Sequence, residues 1–341
     1  MIALDQWLNS SLPVDLSRLT GPTSLIVFIL LIDGLSRLVP AIRDHLRPLL
    51  GIPYNVFAGL QQRLARPSRS SNDLKRRGVL AVAILALVGV SLAVAGVQIS
   101  LLNYYAAYVV WFLVWRWSVG WTLARDILAL EKPTARDLKN HLARRQIKLS
   151  TPLADTADAA TVYRVTIEVL ALTLVHGLFA PLIYALIVAA CGYPAFYGAV
   201  LGVMGAALAE NDPVDATQRQ FQTVAQPLAA GILFLPSRLA GILMLLAALF
   251  TPKAKILKGF TMMLGQGHRY PFFSLGWAIA LISGVFGIAF PLQNAKQEWL
   301  GDKNATARIE KGMLQRVLWL HVVTVLLTAL ILCAVLLLSI K

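Results

Sequence analysis

Charge is scarce in this chain, and acid is scarcer than base. Of 341 residues only 14% are charged, and 31 Lys and Arg stand against 17 Asp and Glu, a formal net charge of +14. A soluble globular domain carries about 25% charged residues and about 45–50% apolar ones. Here 57% of the residues are hydrophobic and the mean hydropathy is +0.68. A soluble enzyme, a disordered chain and a disulfide-rich secreted domain are all excluded. The two cysteines, Cys191 and Cys333, make no disulfide framework and have no metal-ligand spacing. Both lie in or beside apolar runs and read as small packing residues. The first 20 residues have no basic start and no apolar core, and they carry Asp5 and Asp15, so no cleavable signal peptide is expected. The apolar residues come in unbroken runs without strand-like alternation, which excludes an outer-membrane barrel. There is no internal repeat.

What the chain has instead is long apolar runs. A membrane-crossing helix needs about 20 mostly apolar residues. Runs of that kind extend over Val79–Leu102, Tyr104–Thr122, Val165–Cys191, Leu228–Phe250, Phe272–Leu292 and Val317–Ile340. Thr23–Val39 is shorter and carries Asp33 and Arg37, and Ala195–Ala209 is short enough to be re-entrant. The expected fold is all-α: a polytopic helical integral membrane protein of six to seven spans with amphipathic cytoplasmic helices, forming one domain over residues 1–341.

The basic residues cluster in two segments, 40–78 and 124–164, each with eight Lys and Arg. Cytoplasmic loops carry such an excess, so both are expected inside and the N-terminus outside. The same rule accounts for the positive charge without nucleic acid. Residues 251–271, with Lys253, Lys255, Lys258 and Arg269, fit the inside; the acidic segment 210–226 fits the outer face. Val56 to Leu64 has apolar residues at spacings of three and four, as do Leu138 and Leu142, with Leu149 continuing the set. Such stretches either lie flat against anionic lipid headgroups or form a solvated helix pair.

Ionisable residues inside apolar runs are costly and so are candidates for function. Asp33 has Arg37 at i+4, and Arg164 has Glu168 at i+4, so each pair is also explained as a local ion pair. Arg238 lies deep in its run after Pro236 and calls for a carboxylate such as Asp33 or Glu168. His176 follows Glu168 by two turns. His268 sits in Gly265-Gln266-Gly267-His268-Arg269, a two-glycine loop with the makings of an anion nest. Trp111, Trp115, Trp117 and Trp121 read as an interfacial belt.

The ordered set of motifs resembles the CobD/CbiB family of membrane adenosylcobinamide-phosphate synthases, with its AmpE branch. The resemblance runs from about residue 24 to 338. Arg164-Val-Thr-Ile-Glu168, Gly177-Leu-Phe-Ala180-Pro181-Leu-Ile-Tyr184 and Gly192-Tyr-Pro194 are similar to the family's R-A-x-x-E…D-G-x-x-A-P-L-F-Y…G-x-P block. Phe234-Leu-Pro236-Ser-Arg238-Leu resembles I-P-A-R-L. Gly276-Trp277 with Gly284 and Gly287 resembles N-A-G-W-P…A-G-x-L-G. Leu300-Gly301-Asp302 resembles the G-D-G stretch, and Asp33 an early helical Asp.

The departures are as informative. Leu172, Thr173 and His176 stand where the family continues with Glu, Asn and Asp. Tyr197 to Ala206 resembles Y-K-A-V-N-T-x-D-S-M without its Lys, Asn and Asp. Ala229, Ala230 and Leu233 replace an Asp-Asp pair and an Asn, and Ser274 replaces the Asn before Gly-Trp. The resemblance implies ATP-dependent amide ligation of an aminopropanol to a corrinoid, chemistry that needs carboxylates for Mg²⁺ and clamps for phosphoryl groups. At least four acidic positions are lost, so a divergent, non-catalytic member (a pseudoenzyme) is expected, in a bacterial inner membrane as a multi-pass protein. An active synthase, an AmpE-like envelope-signalling protein and a small transporter remain the alternatives. Candidate catalytic residues are Glu168, Arg164, Arg238 and Asp33. Arg145, His268 and Trp277 are the candidates to meet a cofactor. Mg-ATP and a corrinoid are expected only with retained activity, and no metal site is assigned. The expected partners are anionic lipid headgroups and a corrinoid or a membrane protein.

Overall fold

The computed structural model describes residues 51–102, 118–145, 153–191, 216–223, 225–270, 274–292 and 298–339. Asp33 and the first run, Trp111 to Trp117, Leu149 and the 195–209 segment lie outside them.

The described chain is mostly helical. Its elements are α1 (Gly51–Leu64), α2 (Ser71–Leu102), α3 (Ser118–Ala129), α4 (Ala135–Arg145), α5 (Ala159–Cys191), α6 (Ala216–Gln222), α7 (Ala225–Ala248), α8 (Ile256–Gln266), α9 (Gly276–Phe286) and α10 (Lys311–Ser339). A two-residue antiparallel ladder, β1 (Phe290–Pro291) with β2 (Trp299–Leu300), pairs Phe290 with Leu300. Side-chain caps open α4 and α5. Asp158 accepts from the Thr161 N–H at 2.9 Å ahead of α5, and Thr134 and Asp137 exchange reciprocal bonds ahead of α4.

Among the described residues, two helical stretches are long and apolar enough to cross a membrane: Ala230–Ala248 of α7 and Lys311–Ile331 of α10. In α10, Thr324 and Thr328 donate to the carbonyls of Leu320 and Thr324, at 2.7 and 2.8 Å, so both hydroxyls are satisfied within the apolar helix. In α7 the buried Ser237 hydroxyl has no hydrogen-bond partner among the described residues. Helices α2 and α5 are longer, at 32 and 33 residues.

Three sequence expectations need correction. The run Phe272–Leu292 is not one spanning helix. Its helical part, α9, has 11 residues, about 16 Å at 1.5 Å per residue. Gly287 ends it in the left-handed conformation (φ 69°), its N–H bonded to Ser283 O, and the chain turns into β1. The apolar stripes of α1 and α4 also go to protein rather than to headgroups. Leu138 and Leu142 are buried in the main core, and Phe57 is buried against Phe221 with ring centroids 5.9 Å apart. Finally, α6 does not lie on the face opposite the 40–78 segment. The Gln222 amide approaches Gln61 Oε1, and Gly78 admits the Phe221 carbonyl where any side chain would collide.

The main core joins α3, α4, α5, α7, α9 and α10. Helix α9 is at its centre, buried continuously from Ala278 to Val285. A smaller cluster joins α1, α2 and α6 through Phe57, Ala81, Val82, Leu85 and Phe221. Lys311 reaches the Leu130 carbonyl, and Trp319 reaches that of Phe250. The end of α3, the end of α7 and the start of α10 therefore lie close together.

Candidate functional site

The site is built around the turn between α8 and α9. The two helices lie close because glycines line their contact. A Cβ on Gly284 would come within 2.7 Å of Gly259 Cα, and a Cβ on Gly259 within 2.5 Å of Val285 Cγ2. At the far end, Gly267 and Gly276 touch so directly that a Cβ on Gly276 would overlap the Gly267 carbonyl oxygen. Gly267 is right-handed (φ −59°) and buried, and it begins a short 3₁₀ turn over Gly267–Arg269. It therefore serves helix packing, and the anion nest expected of this loop is not formed: a nest alternates right- and left-handed residues.

Two pairs of side chains meet at this turn. Tyr270 is buried beside Gly276, and its hydroxyl donates to the carboxylate of Glu168 on α5. Glu168 is itself only 6% exposed. Arg164, one turn earlier on α5, is close enough to act electrostatically on the Tyr270 phenol. The next residue on α9, Trp277, lies under the guanidinium of Arg238 at 4.1 Å from ring centroid to Cζ. Phe234 supplies a second ring at 4.8 Å. A cation is attracted to the negative face of an aromatic ring, and more strongly where water is excluded. Two aromatic faces therefore lie against Arg238. Gly241, a turn further along α7, gives Trp277 its room: a Cβ there would meet its ring at 3.2 Å.

A third group flanks α8. Lys258 forms an ion pair with Asp302, Gln266 Oε1 accepts from the Gly301 N–H at 3.2 Å, and Arg269 pairs with Glu298 at 2.9 Å. Lys258 and the backbone N–H groups of Lys303 and Asn304 hold the Asp302 carboxyl below the usual aspartate range.

Sequence pieces more than a hundred residues apart thus converge. The Arg164/Glu168 pair, the Pro236–Arg238 piece, Gly276-Trp277 and Gly301-Asp302 all reach one short hairpin. Among the expected cofactor contacts, Trp277 belongs to the site, and His268 is exposed on its 3₁₀ turn. Arg145 ends α4. His176 continues α5 beyond Glu168. No group of three or more His, Cys, Asp and Glu is placed to hold a metal among the described residues. Sequence reasoning missed Tyr270. The available signal was a lone tyrosine directly after a glycine-rich break between two apolar stretches.

A family model for CobD/Cbib protein matches residues 34–321. The chain belongs to the CobD/Cbib family. Comparison with curated proteins and with solved structures gives no significant match. The CobD/Cbib match covers every element from α1 to the first turns of α10, and with them the whole hairpin site. The CobD/Cbib family is linked to cobalamin biosynthesis. Among the described residues, several positions where the sequence departs from the motif pattern pack or bond within the protein. Leu172 and Leu233 belong to the main core, 8% and 1% exposed. Thr173 returns its hydroxyl to the carbonyls of Val169 and Leu170. Ser274 is buried one residue before the α9 cap.

Proposed function

We propose that this protein is a multi-pass inner-membrane member of the CobD/Cbib family that has lost ligase chemistry and acts by binding. The observation that carries the reading is the burial of Leu172 and Leu233 in the core. ATP-driven amide ligation needs carboxylates converging on Mg²⁺ and charged groups around the phosphoryl in transfer. At two of the places where the family's acidic and amide side chains stand, this chain has aliphatic side chains fully enclosed by protein. Restoring the carboxylate at Leu172 would bury a charge at a cost of several kcal/mol. Glu168, the acid that remains at the turn, is occupied by the Tyr270 hydroxyl.

The bilayer placement rests on the two crossing helices, on the length of α2 and α5, and on broadly exposed apolar faces. Leu87, Leu326 and Leu330 are each about two-thirds exposed. Water would not tolerate such faces over helices of this length.

One observation favours a second reading, an active adenosylcobinamide-phosphate synthase with replacement residues: Glu168, Tyr270 and Arg238 do converge on one turn. The test is binding of Mg-ATP and of adenosylcobyric acid to the detergent-purified protein, with an assay for amide product. The expected result is corrinoid binding without turnover. Product formation would establish the synthase reading and end this one. Binding of neither ligand would leave an AmpE-like partnership with another membrane protein as the surviving form of a non-catalytic role.

A further inference from the structure

Helices α8 and α9 have 11 residues each, about 16 Å. That is half the hydrocarbon thickness of a bilayer, about 30 Å. Their contacts say how deep they reach. The base of the hairpin is closed by Lys255 N–H donating to Val285 O at 3.1 Å, a few residues past the end of α7. Its tip is beside the middle of the α7 crossing stretch, where Gly241 abuts Met263 and Trp277, and Arg238 covers Trp277. The chain therefore leaves α7 at one end and doubles back along it to mid-height. It then returns along α9.

The two flanks of α8 differ. Leu257, Phe260 and Leu264 point outward, at 82%, 43% and 51% exposure. They continue the exposed apolar face of α7 at Ile242, Leu246 and Leu249. On the membrane reading above, lipid chains cover this flank. The other flank carries Lys258 and Gln266, with Arg269 on the 3₁₀ turn beyond them, all bonded to the arm 298–302, with the paired charges roughly one-third exposed. A two-residue ladder with partly exposed ion pairs cannot face hydrocarbon. At membrane depth, irregular backbone survives only where protein or water covers it. Around the base, Lys253, Lys255, Lys303, Arg308 and Lys311 are exposed, with Glu310 the acid among them.

We propose that α8 and α9 are the two arms of a re-entrant hairpin reaching the bilayer midplane, and that the arm 298–306 lines a water-filled vestibule along it. The vestibule opens at the lysine-bearing base, admits small carboxylate or phosphate anions, and ends at the Tyr270–Glu168 turn. Low-dielectric walls concentrate the field of the five cations at the mouth and raise the local anion concentration. The inference rests on the membrane reading above.

The test uses the full chain in membrane vesicles, with Cys191→Ser and Cys333→Ser as background. Single cysteines replace Lys255, Phe260, Leu264 and His268. The probes are a membrane-impermeant anionic methanethiosulfonate and its cationic counterpart, applied to right-side-out and inverted vesicles. Positions 255 and 268 should react from the same face only, and 260 and 264 should be silent. Normalised to a small free thiol, the anionic probe should be about tenfold faster at 268, with the advantage lost in high salt. Reaction of 255 and 268 from opposite faces would show a complete crossing and overturn the hairpin. Silence at 268 from both faces would overturn the vestibule, and equal rates for the two probes its preference for anions. Reaction at 260 and 264 as fast as at 255 would place the hairpin outside the bilayer. Release of the chain from membranes by an alkaline carbonate wash would instead overturn the membrane reading and this inference with it.

Discussion

Gly276 packs on the backbone of Gly267 with no room for a side chain between them: a Cβ on Gly276 would fall on the Gly267 carbonyl oxygen. Everything at the candidate site depends on that contact. It sets Tyr270 against Gly276 on one side and presents Trp277 to Arg238 on the other.

Gly276→Ala should therefore be among the most damaging single substitutions in the chain. Forcing a methyl group into close-packed backbone costs about 1–3 kcal/mol, and more where the neighbour is a peptide group that cannot rotate away. Gly265→Ala, with nothing within 4 Å of its Cβ, is the matched control and should be neutral or slightly stabilising. Thermal unfolding in detergent distinguishes the two. Equal melting temperatures would mean that the turn is not closed as described.

Tyr270→Phe removes the hydroxyl from Glu168 and leaves a buried carboxylate short of a donor. Losing one partner of a buried hydrogen bond to a charged group costs about 1.5–3 kcal/mol. Glu168→Gln keeps an acceptor for Tyr270 and should cost less than Tyr270→Phe. Any Mg-ATP binding should be left unchanged by Glu168→Gln. Tight Mg-ATP binding abolished by that substitution, at unchanged melting temperature, would assign Glu168 to nucleotide chemistry.

Arg238→Lys is not conservative in this setting. The guanidinium carbon lies 4.1 and 4.8 Å from the Trp277 and Phe234 ring centroids, and a compact ammonium makes such ring contacts less well. The expected loss is about 0.5–2 kcal/mol, the range of cation–π contacts from exposed to desolvated. Trp277→Leu should make Arg238→Lys nearly silent, so a double-mutant cycle measures the pair. Additive losses would show that the rings and the cation act independently.

The arm at Gly301-Asp302 should loosen in acid. Asp302 titrates below its ordinary value of 3.8 because Lys258 and two backbone N–H groups favour the carboxylate. A carboxyl lowered in the folded state contributes stability that is full above the unfolded pKa. That contribution is lost as pH falls through the folded value. Hydrogen exchange at residues 298–306 should thus be flat with respect to the intrinsic rate from neutral pH to about pH 4, and rise only below it. Asp302→Asn should raise exchange at neutral pH and abolish the acid dependence. Exchange unchanged in that variant would mean that the ion pair does not hold the arm.

Much of the fold was legible in the sequence because apolar runs and helix breakers are local signals. The runs at Val79–Leu102 and Val165–Cys191 end with α2 and α5, and the loss of an acid and an amide from the family pattern is visible at Leu172 and Leu233. The run Phe272–Leu292 misleads for a physical reason. A helix buried on all sides by protein is as apolar as one surrounded by lipid, and hydropathy alone does not separate them. What separates them is Gly287, whose left-handed conformation stops α9 at half a crossing. The stripe on α4 misleads in the same way, since a headgroup layer and a protein core both accept Leu138 and Leu142.

By itself the sequence determined the helical class, the scarcity of acid and family membership, since each depends on composition or on residues near one another in the chain. Tertiary structure alone decided that Glu168 is partnered by Tyr270, about a hundred positions away, and that Arg238 rests on Trp277. It also decided that two glycine-lined helices fold back to bring those pairs together. Such contacts arise from close packing between elements, and no local pattern encodes which surfaces will meet.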